Sequence, residues 1–128
     1  MNIIEKYAEN LGHLKIDMSL FSKDVLEMCP REGVQNFEHF QKSLENWFPK
    51  LVKIVVKNII CKNVEINHEE QLHGVLFLEV YYKVNSGDAK IDALHVVQAH
   101  NDEKIFLVNS FWKYSQFEEL IKIHPELK

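Results

Sequence analysis

The chain has 128 residues, of which 46% are hydrophobic and 27% charged, a composition typical of one globular domain with a single core. Its formal net charge is −4, with 15 basic residues against 19 acidic ones, so the sequence offers no basic surface for nucleic acid. No apolar run approaches the ~20 residues that span a bilayer, and the first residues lack the pattern of a secretion signal, so we expect a cytoplasmic protein without membrane contact.

The first third of the chain is predicted to be helical. Apolar residues recur at helical spacing near the amino terminus, at Ile3, Ile4, Tyr7, Ala8 and Leu11. A second, short helical piece is expected around residues 16–21. The stretch "VLEMCPREG" then has the pattern of a short strand that ends at proline and glycine.

A further helix is predicted to begin after Asn36, whose side chain can cap it. The apolar stripe of this helix consists of Phe37, Phe40, Leu44, Trp47 and Phe48. Pro49 is expected to end it, because proline cannot continue a helix from within.

From residue 51 onward the pattern becomes β-branched and alternating, which predicts long strands. These are "LVKIVVKNIICKNVEIN", which is expected to contain a bulge, "HGVLFLEVYYKV", "KIDALHVVQAH" and "KIFLVNSFWKY", with turns at "NSGD" and "NDE". Ser115 and Glu118 have the spacing of a capping box for a final short helix. The whole chain, residues 1–128, is therefore expected to form a single α+β domain in which helices pack in a strongly curved antiparallel sheet.

A histidine lies in the middle of an apolar strand face. One face of residues 90–100 carries Ile91, Ala93, His95, Val97 and Ala99. The small alanine side chains leave volume beside the imidazole, which favours a cavity there. The alternative is a core histidine that is hydrogen-bonded to Tyr7 or to a backbone carbonyl, and the sequence leaves both open.

The order of these segments resembles the nuclear transport factor 2-like superfamily over nearly the whole chain. "LENWFPKLVKIVVKNI" is similar to the helix-to-strand passage of SnoaL-like proteins, and "HNDEKIFLVNSFW" is similar to their final hairpin. The resemblance implies a cystatin-like conical barrel with a pocket at its wide end. It also implies a homodimer that forms through the outer face of the sheet, for which Phe77 and Tyr81 are suited as an exposed patch.

The resemblance also suggests site residues. Tyr7 lies where ketosteroid isomerases carry a tyrosine, Cys29 with Pro30 replaces their Asp-Pro pair, and His95 replaces the acid on their central strand. Lys113 replaces the aspartate of SnoaL-like cyclases. Isomerase chemistry needs a carboxylate to move the proton, so the isomerase activity is not inferred for this chain. The cyclase activity is not inferred either, because Lys113 stands at the position of its aspartate.

Eight residues form the candidate site. His95, Cys29 and Tyr7 are the candidate catalytic residues; Phe40, Val97, Val108, Ser110 and Trp112 are the candidate ligand contacts, the last three because the same alignment places them on the pocket side. Alternation alone cannot choose between the two faces of residues 104–114. The alternative for each residue is a purely structural role in the hydrophobic core. For Cys29, the role of a small buried apolar residue is favoured over that of a nucleophile.

Neither a metal nor another cofactor is predicted. His95 and His100 are five residues apart on a strand and therefore point to opposite faces. Cys29 and Cys61 lie outside any CxxC pattern, which favours reduced thiols.

Three functions remain open at this point. The first is an apolar pocket for a small hydrophobic or aromatic molecule, with His95 catalysing an isomerisation, dehydration or cyclisation by proton transfer. The second is the same pocket binding a ligand without chemistry. The third is a protein-interaction domain that works through its sheet face and has a filled core.

Overall fold

The computed structural model describes residues 1–85 and 87–127, which form three α-helices and six β-strands. In chain order these are α1 (Ile3–Gly12), β1 (Phe21–Cys29), β2 (Gly33–Gln35), α2 (Phe37–Trp47), β3 (Leu51–Ile66), β4 (Glu69–Val84), β5 (Gly87–His100), β6 (Lys104–Trp112) and α3 (Tyr114–Ile123). Short 3-10 turns cover Met18–Leu20, Phe48–Lys50 and Pro125–Leu127. The α+β class predicted from the sequence is confirmed, although Ser86 of the expected "NSGD" turn lies outside the described residues.

The six strands form one open, mixed sheet in the order β2-β1-β6-β5-β4-β3. Strands β3 to β6 form the expected antiparallel meander, with register shifts in β3 that produce the predicted bulges. In one pairing the sheet differs from the wholly antiparallel one that was expected, because β1 runs parallel to β6. No hairpin joins these two strands, so a tight turn does not fix their relative direction.

Helix α1 packs directly against the sheet. Asn2 caps it: its side chain accepts a hydrogen bond from the backbone of Glu5, whose own side chain accepts one from the backbone of Asn2. The buried residues of this helix are the predicted ones, Ile3, Ile4, Tyr7, Ala8 and Leu11. The approach is closest at Gly74 of β4, where an added Cβ would lie only 2.8 Å from Cγ2 of Ile4.

Helix α2 begins as predicted after Asn36, whose side chain accepts a hydrogen bond from the backbone of His39. Phe40 and Leu44 are its buried residues. Pro49 lies in the 3-10 turn that follows, after which the chain enters β3. The helix therefore packs Phe40 and Leu44 inward, on the apolar side of its surface.

The final helix begins two residues earlier than the sequence suggested. Its N-cap is Lys113, and no side chain caps it, so the capping box expected from Ser115 and Glu118 is wrong. The reason is that β6 extends to Trp112 and the chain turns into α3 immediately afterwards. Among the residues described, no helix is long and apolar enough to cross a membrane.

Candidate functional site

A cavity of about 540 Å³ lies between the helices and the inner face of the sheet. This volume is within the ~300–1,000 Å³ that is usual for small-molecule sites. All three helices and every strand except β3 contribute to its wall. Its lining residues include Tyr7, Glu27, Cys29, Phe40, Tyr82, Ala93, His95, Ser110, Trp112 and Phe117.

The inner face of β5 is the one that the sequence indicated. His95 is only 4% exposed, and its neighbours across the sheet are Leu76 on β4 and Ser110 on β6. Ala93, the residue two positions before it, also lines the cavity. The small side chain of Ala93 therefore leaves room next to the imidazole.

A β-bulge decides which residues of β6 face inward. Ala99 pairs with Ile105 whereas Gln98 pairs with Leu107, so Phe106 is the extra residue of the bulge. Its ring lies against His100, with the ring centroids 4.4 Å apart. Simple alternation groups Phe106 with Val108, Ser110 and Trp112, but the bulge removes Phe106 from that face and turns Ile105 into the core.

Tyr7 and His95 form a buried hydrogen bond of 3.0 Å between the tyrosine hydroxyl and Nδ1. Burial lowers the pKa of His95 from 6.5 to about 4. Burial, together with the negative charge of Glu27, raises the pKa of Tyr7 well above its usual value. Both partners are therefore uncharged at neutral pH. The two interpretations of His95 are compatible, because the side chain is hydrogen-bonded to Tyr7 and also lines the cavity.

Glu27 was not recognised from the sequence. Its side chain is 5% exposed and lines the cavity, and Oε1 lies 3.5 Å from the Ser110 hydroxyl, which donates to it. Burial raises the pKa of this carboxyl from 4.5 to about 7; Ser110 opposes the shift and the charge of Glu32 adds to it. Glu27 can thus hold or release a proton near neutral pH.

A signal for Glu27 exists in the sequence. Val25, Glu27 and Cys29 alternate along β1 and share a face, and Val25 is fully buried. The Asp-Pro position of the ketosteroid isomerases corresponds to Cys29 and Pro30, two residues beyond Glu27. A charged residue between apolar positions of one strand face was the available indication.

Cys29 lies on the cavity wall but has no reactive environment. Its Sγ accepts a hydrogen bond from the backbone N–H of Glu32 at 3.3 Å, and it is not hydrogen-bonded to His95. Burial raises the pKa of the thiol, so the neutral form is favoured. The structure therefore gives no support to a Cys-His pair.

Of the five predicted ligand contacts, Phe40, Ser110 and Trp112 line the cavity, and Val97 and Val108 do not. Val97 and Val108 pair with each other across β5 and β6 and are fully buried. Val97 also pairs with Gly74, on which Ile4 of α1 packs, so the helix covers this end of the sheet. They belong to the core.

Two buried polar atoms at the cavity lack a hydrogen-bond partner among the described residues. They are Oε2 of Glu27 and Nε1 of Trp112. Burying an unpaired polar group costs about 1–3 kcal/mol, so a ligand that pairs with either atom recovers part of that cost. A group of three or more His, Cys, Asp or Glu side chains that could hold a metal is not found in residues 1–85 and 87–127.

Comparison with known proteins shows the fold. The sequence matches no family model and no curated protein. A proposed polyketide cyclase from Xanthomonas campestris pathovar campestris has a TM-score of 0.66 at 9% identity, with 90% of each chain covered. A proposed scytalone dehydratase from Novosphingobium aromaticivorans has a TM-score of 0.66 at 12% identity, with 87% of this chain and 79% of that one covered. A nuclear transport factor 2-like protein from Anabaena variabilis has a TM-score of 0.63 at 11% identity, with 87% and 84% covered.

These likenesses show that the chain has the fold of a nuclear transport factor 2-like protein, which it shares with the proposed cyclase and the proposed dehydratase. The resemblance inferred from segment order is thus confirmed as a resemblance of fold. At identities of 9–12% it carries no activity with it.

Proposed function

We propose that this protein binds a small apolar or aromatic molecule in its cavity and catalyses a proton transfer on it, with Glu27 as the general acid or base. The observation that carries the proposal is the Glu27 carboxyl, which is buried at the cavity with Oε2 unpaired and has a pKa of about 7. An acid or base works best when its pKa is close to the working pH, because both protonation states are then accessible. Proton transfer is the step that isomerisation, dehydration and aldol cyclisation share.

The other polar groups are suited to hold an oxygen of the substrate. Trp112 presents its unpaired indole N–H, which can only donate a hydrogen bond. Such a donor stabilises the negative charge that develops on a carbonyl oxygen when a neighbouring carbon loses its proton. Tyr7 and His95 stay neutral, so we assign them the role of a fixed hydrogen-bonding pair and not that of a charged acid.

The likeness to a proposed cyclase and a proposed dehydratase supports this class of reaction. Neither similarity identifies a substrate, and the Asp-Pro and cyclase-aspartate positions carry Cys29 and Lys113 here. The proposed acid, Glu27, therefore differs in position from the aspartates of the isomerases and cyclases. Cys29 and Lys113 also favour the second candidate function, which is ligand binding without chemistry.

The test follows hydrogen–deuterium exchange next to the carbonyl of fused-ring ketones, including 1-tetralone, by NMR in heavy water. The wild-type chain is expected to accelerate exchange, and Glu27→Gln is expected to lose about 100-fold or more of that rate. Glu45→Gln, at an exposed glutamate of α2 that does not line the cavity, is the control and should retain the rate. Equal rates in wild type and Glu27→Gln would remove Glu27 from the mechanism, and binding without any exchange would favour the second function.

A further inference from the structure

Charged side chains gather at the exposed end of the cavity. This rim, as we call it, consists of Arg31, Glu32, His39, Lys42 and Lys50, all of which line the cavity. It holds three permanent cations against a single carboxylate. This excess of positive charge is confined to the rim, because the chain as a whole carries a net charge of −4.

The three cations come from separate parts of the chain. Arg31 lies in the turn between β1 and β2, Lys42 lies on α2, and Lys50 ends the 3-10 turn after that helix. Among the described residues, no carboxylate forms a salt bridge with any of them, although Glu79 alone pairs with two lysines elsewhere. Three cations in the wall of one cavity, without a carboxylate partner, create a positive potential for a ligand that enters it.

Arg31, the only arginine of the chain, is held against the cavity wall. Its guanidinium carbon lies 5.0 Å from the centroid of the Phe117 ring, which is itself part of the wall. Burial raises the pKa of Tyr82, and both the hydrogen bond from Trp47 and the charge of Arg31 oppose this shift. The guanidinium of Arg31 is therefore placed against the apolar wall of the cavity.

The two ends of the cavity differ in the charge they accept. The deep end contains the Glu27 carboxyl, which repels an anion when it is ionised, and the apolar ring of Phe40; both residues are buried. At the rim, an anionic group of a ligand can pair with a cation and remain partly hydrated. A molecule with an apolar ring system and one anionic group would thus enter with its ring first.

We propose that the ligand of this cavity is an aromatic or apolar acid whose ring system fills the interior and whose carboxylate binds at the rim, between Arg31, Lys42 and Lys50. The inference rests on the proposed function, since it needs the cavity to be a binding site. It adds the class of substrate and its orientation, with the end remote from the carboxylate directed at Glu27.

The test compares two probes of the same shape, 2-naphthoate and neutral 2-naphthamide, by isothermal titration calorimetry at low salt. We expect the wild-type chain to prefer naphthoate by about five-fold or more, as two or three partly exposed ion pairs allow. The triple variant Arg31→Gln/Lys42→Gln/Lys50→Gln should lose this preference and keep its affinity for naphthamide. Added salt should weaken the binding of naphthoate alone.

The control removes the same charge elsewhere, in Lys6→Gln/Lys15→Gln/Lys62→Gln, whose lysines are exposed and lie away from the cavity. It should keep the preference. Equal wild-type affinities for the two probes, or an equal loss of preference in both triple variants, would overturn the inference and leave the proposed function in place. Failure of both probes to bind would instead contradict the binding site itself, and the inference with it.

Discussion

The hydroxyl of Tyr7 and Nδ1 of His95 are 88 positions apart in the sequence and 3.0 Å apart in the fold. One comes from the first helix and the other from the centre of the sheet, and both are buried. Their hydrogen bond joins α1 to the cavity wall and satisfies an imidazole that burial keeps neutral. It explains how a polar side chain is accommodated on an apolar strand face.

Replacing Tyr7 by phenylalanine should destabilise the fold by about 1–3 kcal/mol, because the buried imidazole of His95 loses its partner. The measurement is the free energy of unfolding in urea. Tyr81→Phe is the matched control: its hydroxyl makes only a 3.4 Å contact with Glu79 on the outer face, so its loss should cost less than about 0.5 kcal/mol. Equal costs for the two variants would show that the Tyr7–His95 bond contributes nothing.

Glu27 should make stability depend on pH in an unusual direction. Its pKa rises from 4.5 to about 7 on folding, so between these values the folded state holds a proton that the unfolded state has released. The contribution of Glu27 to stability therefore falls as pH rises through this window, and its full cost is reached above pH 7.

Glu27→Gln, which cannot ionise, should accordingly be more stable than wild type by about 2 kcal/mol at pH 8 and nearly equal to it at pH 4.5. This gain in stability is smaller than the full pKa shift would give, because the carboxyl lies at the cavity and is partly screened by solvent. Urea unfolding at the two pH values measures the difference, with exposed Glu45→Gln as control. A gain of the same size at both pH values would contradict ionisation as its cause.

Gly74→Ala should destabilise the protein by about 1–3 kcal/mol, because the new Cβ would lie 2.8 Å from Cγ2 of Ile4 and 3.3 Å from Sγ of Cys61. Gly12→Ala is the control, since nothing lies within 4 Å of a Cβ there. It should be neutral or stabilising by up to about 1 kcal/mol. Thermal unfolding compares the two; a neutral Gly74→Ala would show that α1 is free to move away from the sheet.

We also propose a homodimer through the outer face of the sheet. Phe77, Leu94 and Phe111 are neighbours across β4, β5 and β6, and Phe77 and Phe111 are 41% and 46% exposed. This row is a better candidate than the Phe77–Tyr81 patch expected from the sequence, because Lys53 covers the Tyr81 ring. Exposed aromatic rows of this kind are typical of interfaces.

Light scattering at micromolar concentration should therefore give twice the chain mass of 15.1 kDa. Phe77→Lys/Phe111→Lys should give the monomer mass. Ile123→Lys, at a residue of α3 that is 71% exposed, should leave the dimer intact. A wild-type monomer would refute the interface.

The sequence predicts the elements well and the site less well, for physical reasons. Hydrophobic periodicity is local, so α1, α2 and the inner face of β5 follow from it directly. The bulge at Phe106 and the parallel pairing of β1 with β6 depend on contacts between distant segments. The alternation of Val25, Glu27 and Cys29 shows that Glu27 shares their face, but the burial of that face depends on the pairing of β1 with β6. Val97 was assigned to the cavity because alternation does not show how far a helix covers a strand.

The pairing of β1 with β6 also sets the order in which the site can form. Glu27 meets Ser110 across 83 positions, and the neighbours of β1 in the sheet are β2 and β6. A nascent chain that has emerged only to residue 100 has no β6, so its Glu27 remains in water with the pKa of an ordinary carboxyl. Contacts of such long range form slowly, since the loop must close before they stabilise the chain. The buried environment of the Glu27 carboxyl is therefore expected to form late in folding, once β6 has completed the sheet meander.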